Sequence, residues 1–127
     1  MRTTIIAVLL VLLAGPAGLG AQALESAEPF KVGTFQIDGA TKVALVLRDT
    51  LIVDVGAANT ELELDRTYPR LAMPLDMLAL IGQYEYGLKY RLYEIVNDLV
   101  AGNRLSGGTQ ADYVHAVEDV KILPPIL

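Results

Sequence analysis

The sequence predicts an α+β domain in which a small antiparallel β-meander is covered by one or two helices and followed by a final strand. Three observations support this fold class. Strand-like runs follow one another closely between residues 30 and 56, apolar residues recur at helical spacing between residues 75 and 101, and a last strand-like run closes the sequence. Three strands with a single apolar face need such a cover to be stable.

The meander is predicted from three runs of strand-forming residues. The first, Phe30 to Ile37, meets Asp38-Gly39, a dipeptide that accepts the positive φ angles of a tight hairpin turn. The second runs from Thr41 to Asp49 and the third from Thr50 to Gly56. Large aliphatic residues alternate along both, so we expect one face of the sheet to be buried.

The cover begins with a segment of ambiguous pattern. The polar stretch from Gly56 to Ala72 is interpreted as a short helix capped by Asn59 or Thr60, followed by a loop. After Met73 the spacing of the apolar residues changes to one that is typical of a helix. Pro74 suits the first turn of a helix, which is predicted to continue to Gly82.

A longer helix is predicted from Tyr84 or Gly87 to Ala101. Its apolar residues recur at spacings of four, three and four, and they are Leu88, Leu92, Ile95 and Leu99. Gly102-Asn103 tolerates the left-handed conformation that ends a helix. Residues 104 to 113 are predicted to form a loop, and "VEDVKILPPIL" a last strand.

The first 23 residues have the plan of a secretory signal. Arg2 precedes an apolar run from Ile5 to Ala14, a Gly15-Pro16 break follows, and small residues lead to Ala23, after which we expect cleavage. The alternatives are a membrane anchor and a buried helix, but the proline arrives after about half of the roughly 20 apolar residues that a spanning helix needs. The mature chain would be residues 24 to 127, exported to the periplasm or secreted.

Composition excludes several classes of site. The formal net charge is −5, and without Arg2 it becomes −6, so nucleic acid is not an expected partner. The absence of cysteine excludes a disulfide framework, a thiol nucleophile and a lipid-bearing cysteine. Because His115 is the only histidine, a zinc site built on several histidines is also excluded.

Two local patterns resemble catalytic or phosphate-binding motifs only weakly. His115 stands near Glu118 and Asp119, as a base near its orienting acid would, but no nucleophile or metal is indicated beside them. An ordinary surface or strand-edge histidine is the preferred interpretation. The segment from Ser106 to Gln110 lacks the lysine and the glycine spacing of a P-loop, so a flexible loop is expected there.

Two further patterns have a functional and a structural interpretation. Glu61, Glu63 and Asp65 could bind a divalent cation, but with leucines between them a solvated amphipathic stretch is preferred. Four tyrosines stand beside or on the longer helix, and they are Tyr84, Tyr86, Tyr90 and Tyr93. They either broaden the core-facing side of that helix or form part of an interface, and the core edge is the preferred interpretation.

The segments "LIVDVGAAN", "PLDMLALI" and "VKILPPI" occur in an order that resembles the N-terminal accessory region of the fumarylacetoacetate hydrolase family. The resemblance covers about Phe30 to Leu127. None of the three segments is a catalytic motif, and together they form a packing signature. In full-length members of the family, a small domain of this kind precedes the catalytic domain.

This resemblance implies that residues 24 to 127 are an accessory domain and that Pro124-Pro125 is a stiff connector to a catalytic domain not contained in the chain. The family's metal-binding carboxylates and its His-Glu catalytic pair belong to that domain. No residue of this chain is therefore assigned a catalytic, cofactor-binding or metal-binding role, and the chain alone is expected to be inactive.

The complete protein would hydrolyse, isomerise or decarboxylate small 2-keto-enol or acylpyruvate-type acids at a C–C bond, with a divalent cation (Mg²⁺, Mn²⁺ or Ca²⁺) as Lewis acid. Its expected partners are the catalytic domain and a second copy in a homodimer; a membrane is not expected after signal cleavage. The alternative function is a free-standing secreted protein-interaction domain without catalysis. A ligand-binding β-domain has no polar constellation in the sequence to support it.

Overall fold

The computed structural model describes residues 25–126 of the chain. They form a five-stranded antiparallel sheet and three α-helices, so the predicted α+β fold class is confirmed. The predicted signal segment, its cleavage after Ala23 and the last residue, Leu127, lie outside the described residues. Among residues 25–126, no helix has both the length and the hydropathy needed to cross a membrane.

The elements follow one another as β1 (Phe30–Ile37), β2 (Ala40–Leu47), β3 (Leu51–Asp54), α1 (Val55–Leu62), α2 (Met77–Gln83), α3 (Leu88–Ala101), β4 (Val114–Ala116) and β5 (Lys121–Leu123). Short 3-10 turns occupy Tyr84–Tyr86, Gly107–Thr109 and Val117–Asp119. The strand order across the sheet is β4-β3-β2-β1-β5, and every neighbouring pair is antiparallel.

The predicted β1–β2 hairpin is confirmed. Ile37 pairs with Ala40, and the two residues between them have positive φ angles, 51° at Asp38 and 81° at Gly39. Left-handed backbone at both central positions gives a turn whose twist matches that of the strands, which is why Asp-Gly is favoured here. This turn fixes the register of the whole β1–β2 pair.

The third strand is shorter than predicted, because Asp54 ends it and begins a helix. The Asp54 side chain accepts a hydrogen bond from the Ala57 backbone N–H at 3.3 Å and so acts as the N-cap of α1. The predicted short helix exists, but the prediction that Asn59 or Thr60 caps it was wrong. Both residues lie inside α1, and Asn59 is buried.

The next two helices are close to the predicted ones. Helix α2 begins at Met77 rather than at Pro74, since Asp76 caps it by accepting the Ala79 N–H at 2.8 Å. Helix α3 begins directly after Gly87, which has a φ angle of 110°, and ends where Asn103 adopts a φ of 52°. The predicted apolar stripe is buried at all four positions, Leu88, Leu92, Ile95 and Leu99.

The C-terminal part of the sheet differs from the prediction. The final strand is limited to β5, which pairs with β1, and Val117–Asp119 forms a 3-10 turn instead. The strand β4 was not predicted; its three residues pair with β3. A run this short gives no recognisable alternation in the sequence, so only its pairing with β3 identifies it.

The sheet is open but strongly curved. Strands β4 and β5 lie at opposite edges, yet only residues 117–120 join them. In a flat sheet, four strand spacings of about 4.8 Å would separate these edges by roughly 19 Å. A link of this length that also contains a 3-10 turn cannot span that distance, so the edges must approach each other.

Both faces of the sheet are packed. The convex face contacts the helices in the larger core through Val43, Leu45, Leu47 and Val53, all at most 5% exposed. On the concave face a smaller core of Phe35, Ile37, Ala44 and Ile52 packs against Val117 and Val120 of the link. Gly33 makes room for the Phe35 ring, because a Cβ atom at Gly33 would lie 2.8 Å from Cε2 of that ring.

Candidate functional site

His115 and the two acidic residues after it do not form a catalytic pair. His115 lies in β4 opposite Ile52 and is partly exposed. Glu118 and Asp119 are exposed in the following 3-10 turn, and no hydrogen bond or ion pair among residues 25–126 joins either of them to His115. The position of His115 at the edge of the sheet agrees with the preferred interpretation.

The glycine-rich segment from Ser106 to Gln110 folds onto its own neighbours. The Thr109 hydroxyl donates a hydrogen bond to the Asn103 carbonyl, and the Gln110 side-chain amide donates one to the Val114 carbonyl at 3.0 Å. The polar side chains of the loop therefore stabilise the connection between α3 and β4.

The acidic triplet is divided among three separate partners. The Glu61 carboxylate lies 2.6 Å from Nη1 of Arg104. The Asp65 carboxylate accepts hydrogen bonds from the backbone N–H and the hydroxyl of Thr67, which hold its pKa below the ordinary value. Within residues 25–126 no group of three or more His, Cys, Asp or Glu side chains is placed to hold a metal ion.

Glu63, the third member of the triplet, belongs to a network around a buried arginine. Arg91 is 3% exposed, and its Nη1 atom lies 3.0 Å from Oε2 of Glu63 while also donating to Asn59. Its Nη2 atom donates to the Pro69 carbonyl, and the Leu71 backbone N–H donates to Glu63 at 2.9 Å. These contacts attach the irregular segment between α1 and α2 to α3.

The hydrogen bonds of this network also change the acidity of Glu63. The Leu71 backbone N–H has the largest effect, and Asn59 and Arg91 add to it, so the pKa of Glu63 lies below its ordinary value of 4.5. All the described partners of Glu63 stabilise its charged form. The network is therefore structural, and its groups are already engaged with one another.

The four tyrosines divide into two pairs. Tyr84 and Tyr93 are partly buried, and Tyr93 makes an edge-to-face contact with Phe30 at 5.9 Å between ring centroids. Tyr86 is 90% exposed and Tyr90 is 43% exposed. The interpretation of a core edge therefore fits Tyr84 and Tyr93, Tyr86 points largely to solvent, and Tyr90 is intermediate because its ring also makes an edge-to-face contact with Tyr93 at 6.0 Å.

A cleft of about 700 Å³ opens on the surface of the described residues. It lies where the β1–β2 turn, helix α1 and the segment before β4 meet, and we refer to it as the α1 cleft. Its central ion pair joins Nζ of Lys42 to Oδ2 of Asp54 at 2.8 Å, and Asp54 raises the pKa of Lys42 by hydrogen bonding and charge. The lining residues are Ile37, Asp38, Ala40, Lys42, Asp54, Ala57, Thr60, Glu61, Leu64, Asp112, Tyr113 and His115.

Sequence reasoning missed the α1 cleft entirely. Its polar residues come from β2, the end of β3, α1 and the approach to β4, so no local motif contains more than a few of them. Their positions in the sequence therefore do not indicate that these residues lie close together in the folded domain. His115 and Glu61 are the cleft residues that the sequence singled out as candidate site residues, each for a different reason.

A second surface feature is a set of exposed apolar side chains beside the last described residues. Leu75 is 88% exposed, Leu78 61%, Ile81 58% and Ile126 52%, and we call these four residues the Leu75 surface. Leu75, Leu78 and Ile126 line one small groove. The Thr34 hydroxyl donates to the Pro125 carbonyl at 2.8 Å and so fixes the chain beside that groove.

Comparison with protein-family models, with curated proteins and with solved structures gave no match to this chain.

Proposed function

We propose that this chain is the non-catalytic N-terminal accessory domain of an exported enzyme of the fumarylacetoacetate hydrolase type. Its role would be to pack against a catalytic domain that follows Pro124-Pro125. The complete enzyme would act on small 2-keto-enol or acylpyruvate-type acids at a C–C bond. The divalent cation, as Lewis acid, and the catalytic residues would come from the following domain.

The observation that carries this proposal is the Leu75 surface. Soluble proteins rarely expose several large aliphatic side chains side by side unless a partner covers them. Leu75 and Leu78 belong to "PLDMLALI", and the chain beside them leads out of "VKILPPI", so two of the three segments that carry the resemblance meet at this surface. A domain that continues the chain from Pro125 would start next to it.

The catalytic part of the proposal is tested with the protein expressed from its complete reading frame. We expect it to turn over acylpyruvates in the presence of Mg²⁺ or Mn²⁺ and to lose that activity with a chelator. Activity should return when the cation is added back. A complete protein that shows no metal-dependent turnover of acylpyruvates would contradict the catalytic assignment.

A second candidate function, a free-standing secreted interaction domain, is favoured by one observation. Tyr86 and Tyr90 present aromatic surface to solvent next to Lys89, whose Nζ atom lies 5.4 Å from the Tyr90 ring centroid. If the chain is such an interaction domain, it should associate with itself or with another protein through these tyrosines. A Tyr86→Ala/Tyr90→Ala variant should then lose that association, which sedimentation measures. Unchanged association would remove the candidate.

A further inference from the structure

The α1 cleft has the dimensions of a small-molecule site. Its volume of about 700 Å³ lies within the range of roughly 300–1,000 Å³ that is typical of ligand pockets. Its apolar lining comes from both layers of the domain, with Ile37 and Ala40 from the sheet and Ala57 and Leu64 from α1 and the turn after it. An apolar body of a few carbon atoms can be desolvated against these side chains.

The charged residues that line the cleft determine whether a cation or an anion is favoured as its ligand. Four carboxylates line it, and Lys42 is the only lysine or arginine among the lining residues. Two of the carboxylates are already neutralised, since Asp54 pairs with Lys42 at 2.8 Å and Glu61 pairs with Arg104 at 2.6 Å.

The other two carboxylates, Asp38 and Asp112, have no ion pair or side-chain hydrogen bond within residues 25–126. The cleft therefore keeps an excess of negative charge that a cation would offset.

Tyr113 supplies an observation that is independent of the charges. Its side chain belongs to a residue that is only 7% exposed and that lines the cleft. Its hydroxyl has no hydrogen-bond partner in the described part of the chain, yet every fully buried side-chain polar atom there has one. The hydroxyl therefore retains some access to solvent, and because Tyr113 lines the cleft we infer that it is available there to accept a hydrogen bond from a ligand.

The environment keeps this hydroxyl neutral. Burial raises the pKa of Tyr113, and the nearby Glu61 carboxylate raises it further. The phenol thus stays protonated at and above neutral pH. It offers an oxygen acceptor without adding another negative charge to the cleft.

We propose that the α1 cleft binds a small organic cation, a primary ammonium group on an aryl or alkyl body, which the unpaired carboxylates of Asp38 and Asp112 attract and whose ammonium group donates a hydrogen bond to the Tyr113 hydroxyl. The apolar body would lie against Ala57 and Leu64. An anion is disfavoured because Lys42 is already paired and the carboxylates would repel it. The binding test does not require the accessory role proposed above, although Leu75 lines an adjoining concavity that shares Lys42, Asp54, Ala57 and Thr60 with the cleft.

The test uses three probes that share one apolar body and differ in charge. 2-Phenylethylammonium, 2-phenylethanol and 3-phenylpropionate are titrated into the purified ¹⁵N-labelled protein at constant ionic strength, and amide chemical shifts are recorded. We expect saturable shifts around residues 38, 57 and 113 with the ammonium probe, with a Kd on the order of a millimolar for so small a ligand. The alcohol should bind at least about threefold more weakly, and the carboxylate should not bind.

Variants separate specific binding from general attraction to an acidic protein. Asp112→Asn should weaken binding of the ammonium probe by about threefold, and Tyr113→Phe, which removes only the hydroxyl, by about tenfold. Asp49→Asn is the matched control, because Asp49 is an exposed carboxylate outside the cleft that pairs with Lys31.

The proposal is overturned if the alcohol binds as well as the ammonium probe, if Asp49→Asn weakens binding as much as Asp112→Asn, or if no saturable shift is seen. Unchanged amide spectra away from the cleft would show that each variant is folded.

Discussion

The Nη1 atom of Arg91 lies 3.0 Å from Oε2 of Glu63, and it is held there in a position that leaves Arg91 only 3% exposed. A charge this deeply buried is tolerated only where its donors are satisfied. Asn59 and the Pro69 carbonyl accept from the same guanidinium, and Glu94 lies 3.3 Å from its Nε atom. Arg91 therefore attaches the irregular segment between α1 and α2 to α3 by hydrogen bonds, in addition to the packing of Tyr68 and Met73 against the larger core.

Arg91→Ala should lower the free energy of unfolding by about 2–4 kcal/mol, because it removes the buried guanidinium that bonds Glu63, Asn59 and the Pro69 carbonyl and it creates a cavity. Urea denaturation measures this change. Lys31→Ala is the control, since the Lys31–Asp49 pair is about three-quarters exposed on both sides and should contribute under about 1 kcal/mol. Equal losses for the two variants would contradict the structural role of Arg91.

The lowered pKa of Glu63 predicts how the contribution of the network depends on pH. A carboxyl whose pKa is lower in the folded state stabilises the protein above its unfolded pKa, and that contribution is lost as the pH falls through the folded pKa. The difference in unfolding free energy between the wild type and Glu63→Gln should therefore be largest near neutral pH and should shrink below about pH 4.5.

Urea denaturation at pH 7, 5, 4 and 3 measures this difference. Glu118→Gln serves as the control, because Glu118 is exposed and makes no side-chain hydrogen bond within residues 25–126. A Glu63→Gln difference that stayed constant down to pH 3 would be inconsistent with the hydrogen bonds described for Glu63.

Gly33→Ala tests the packing of the concave face. The added Cβ would meet Cε2 of Phe35 at 2.8 Å, so the ring must move within a core that is already filled, at a cost of about 1–3 kcal/mol. Gly82→Ala in α2 is the matched control, because a Cβ there meets nothing within 4 Å, and it should be neutral or stabilise the helix by up to about 1 kcal/mol. Thermal unfolding measures the stability of both variants. A Gly33→Ala variant as stable as the wild type would contradict the described position of the Phe35 ring.

Leu75→Ser examines whether the Leu75 surface packs against another domain. In the protein expressed from the complete reading frame, this change should lower the unfolding temperature or separate the unfolding into two transitions. In the isolated chain it should change stability by less than about 0.5 kcal/mol, because Leu75 is 88% exposed. Leu64→Ser is the control, since Leu64 is 78% exposed but lies outside that surface. Calorimetric traces that are identical for both variants in the complete protein would exclude the packing role.

The parts of the fold that could be predicted from the sequence are those determined by local patterns. The Asp38-Gly39 turn follows from the φ angles that these residues accept, and the apolar stripe of α3 follows from its spacing. The end of β3 could not be placed, because Val55 continues the apolar alternation and only the hydrogen bond that Asp54 accepts from the Ala57 backbone N–H shows that a helix begins there.

Contacts between distant residues could not be predicted at all. Arg91 and Glu63 are 28 positions apart, and their pairing depends on how α1 packs on α3. The α1 cleft was even harder to predict, because Lys42, Asp54 and Tyr113 are distant in the sequence and the pairing of β4 with β3 brings them together. No short window of the sequence contains that information.

The most direct test of the proposed accessory role is the coding DNA downstream of the codon for Leu127. The accessory role predicts an open frame that continues past Pro124-Pro125 and encodes a His-x-x-Glu pair followed by metal-binding carboxylates. A stop codon directly after Leu127, together with a soluble monomeric product, would contradict it and would favour the free-standing interaction domain.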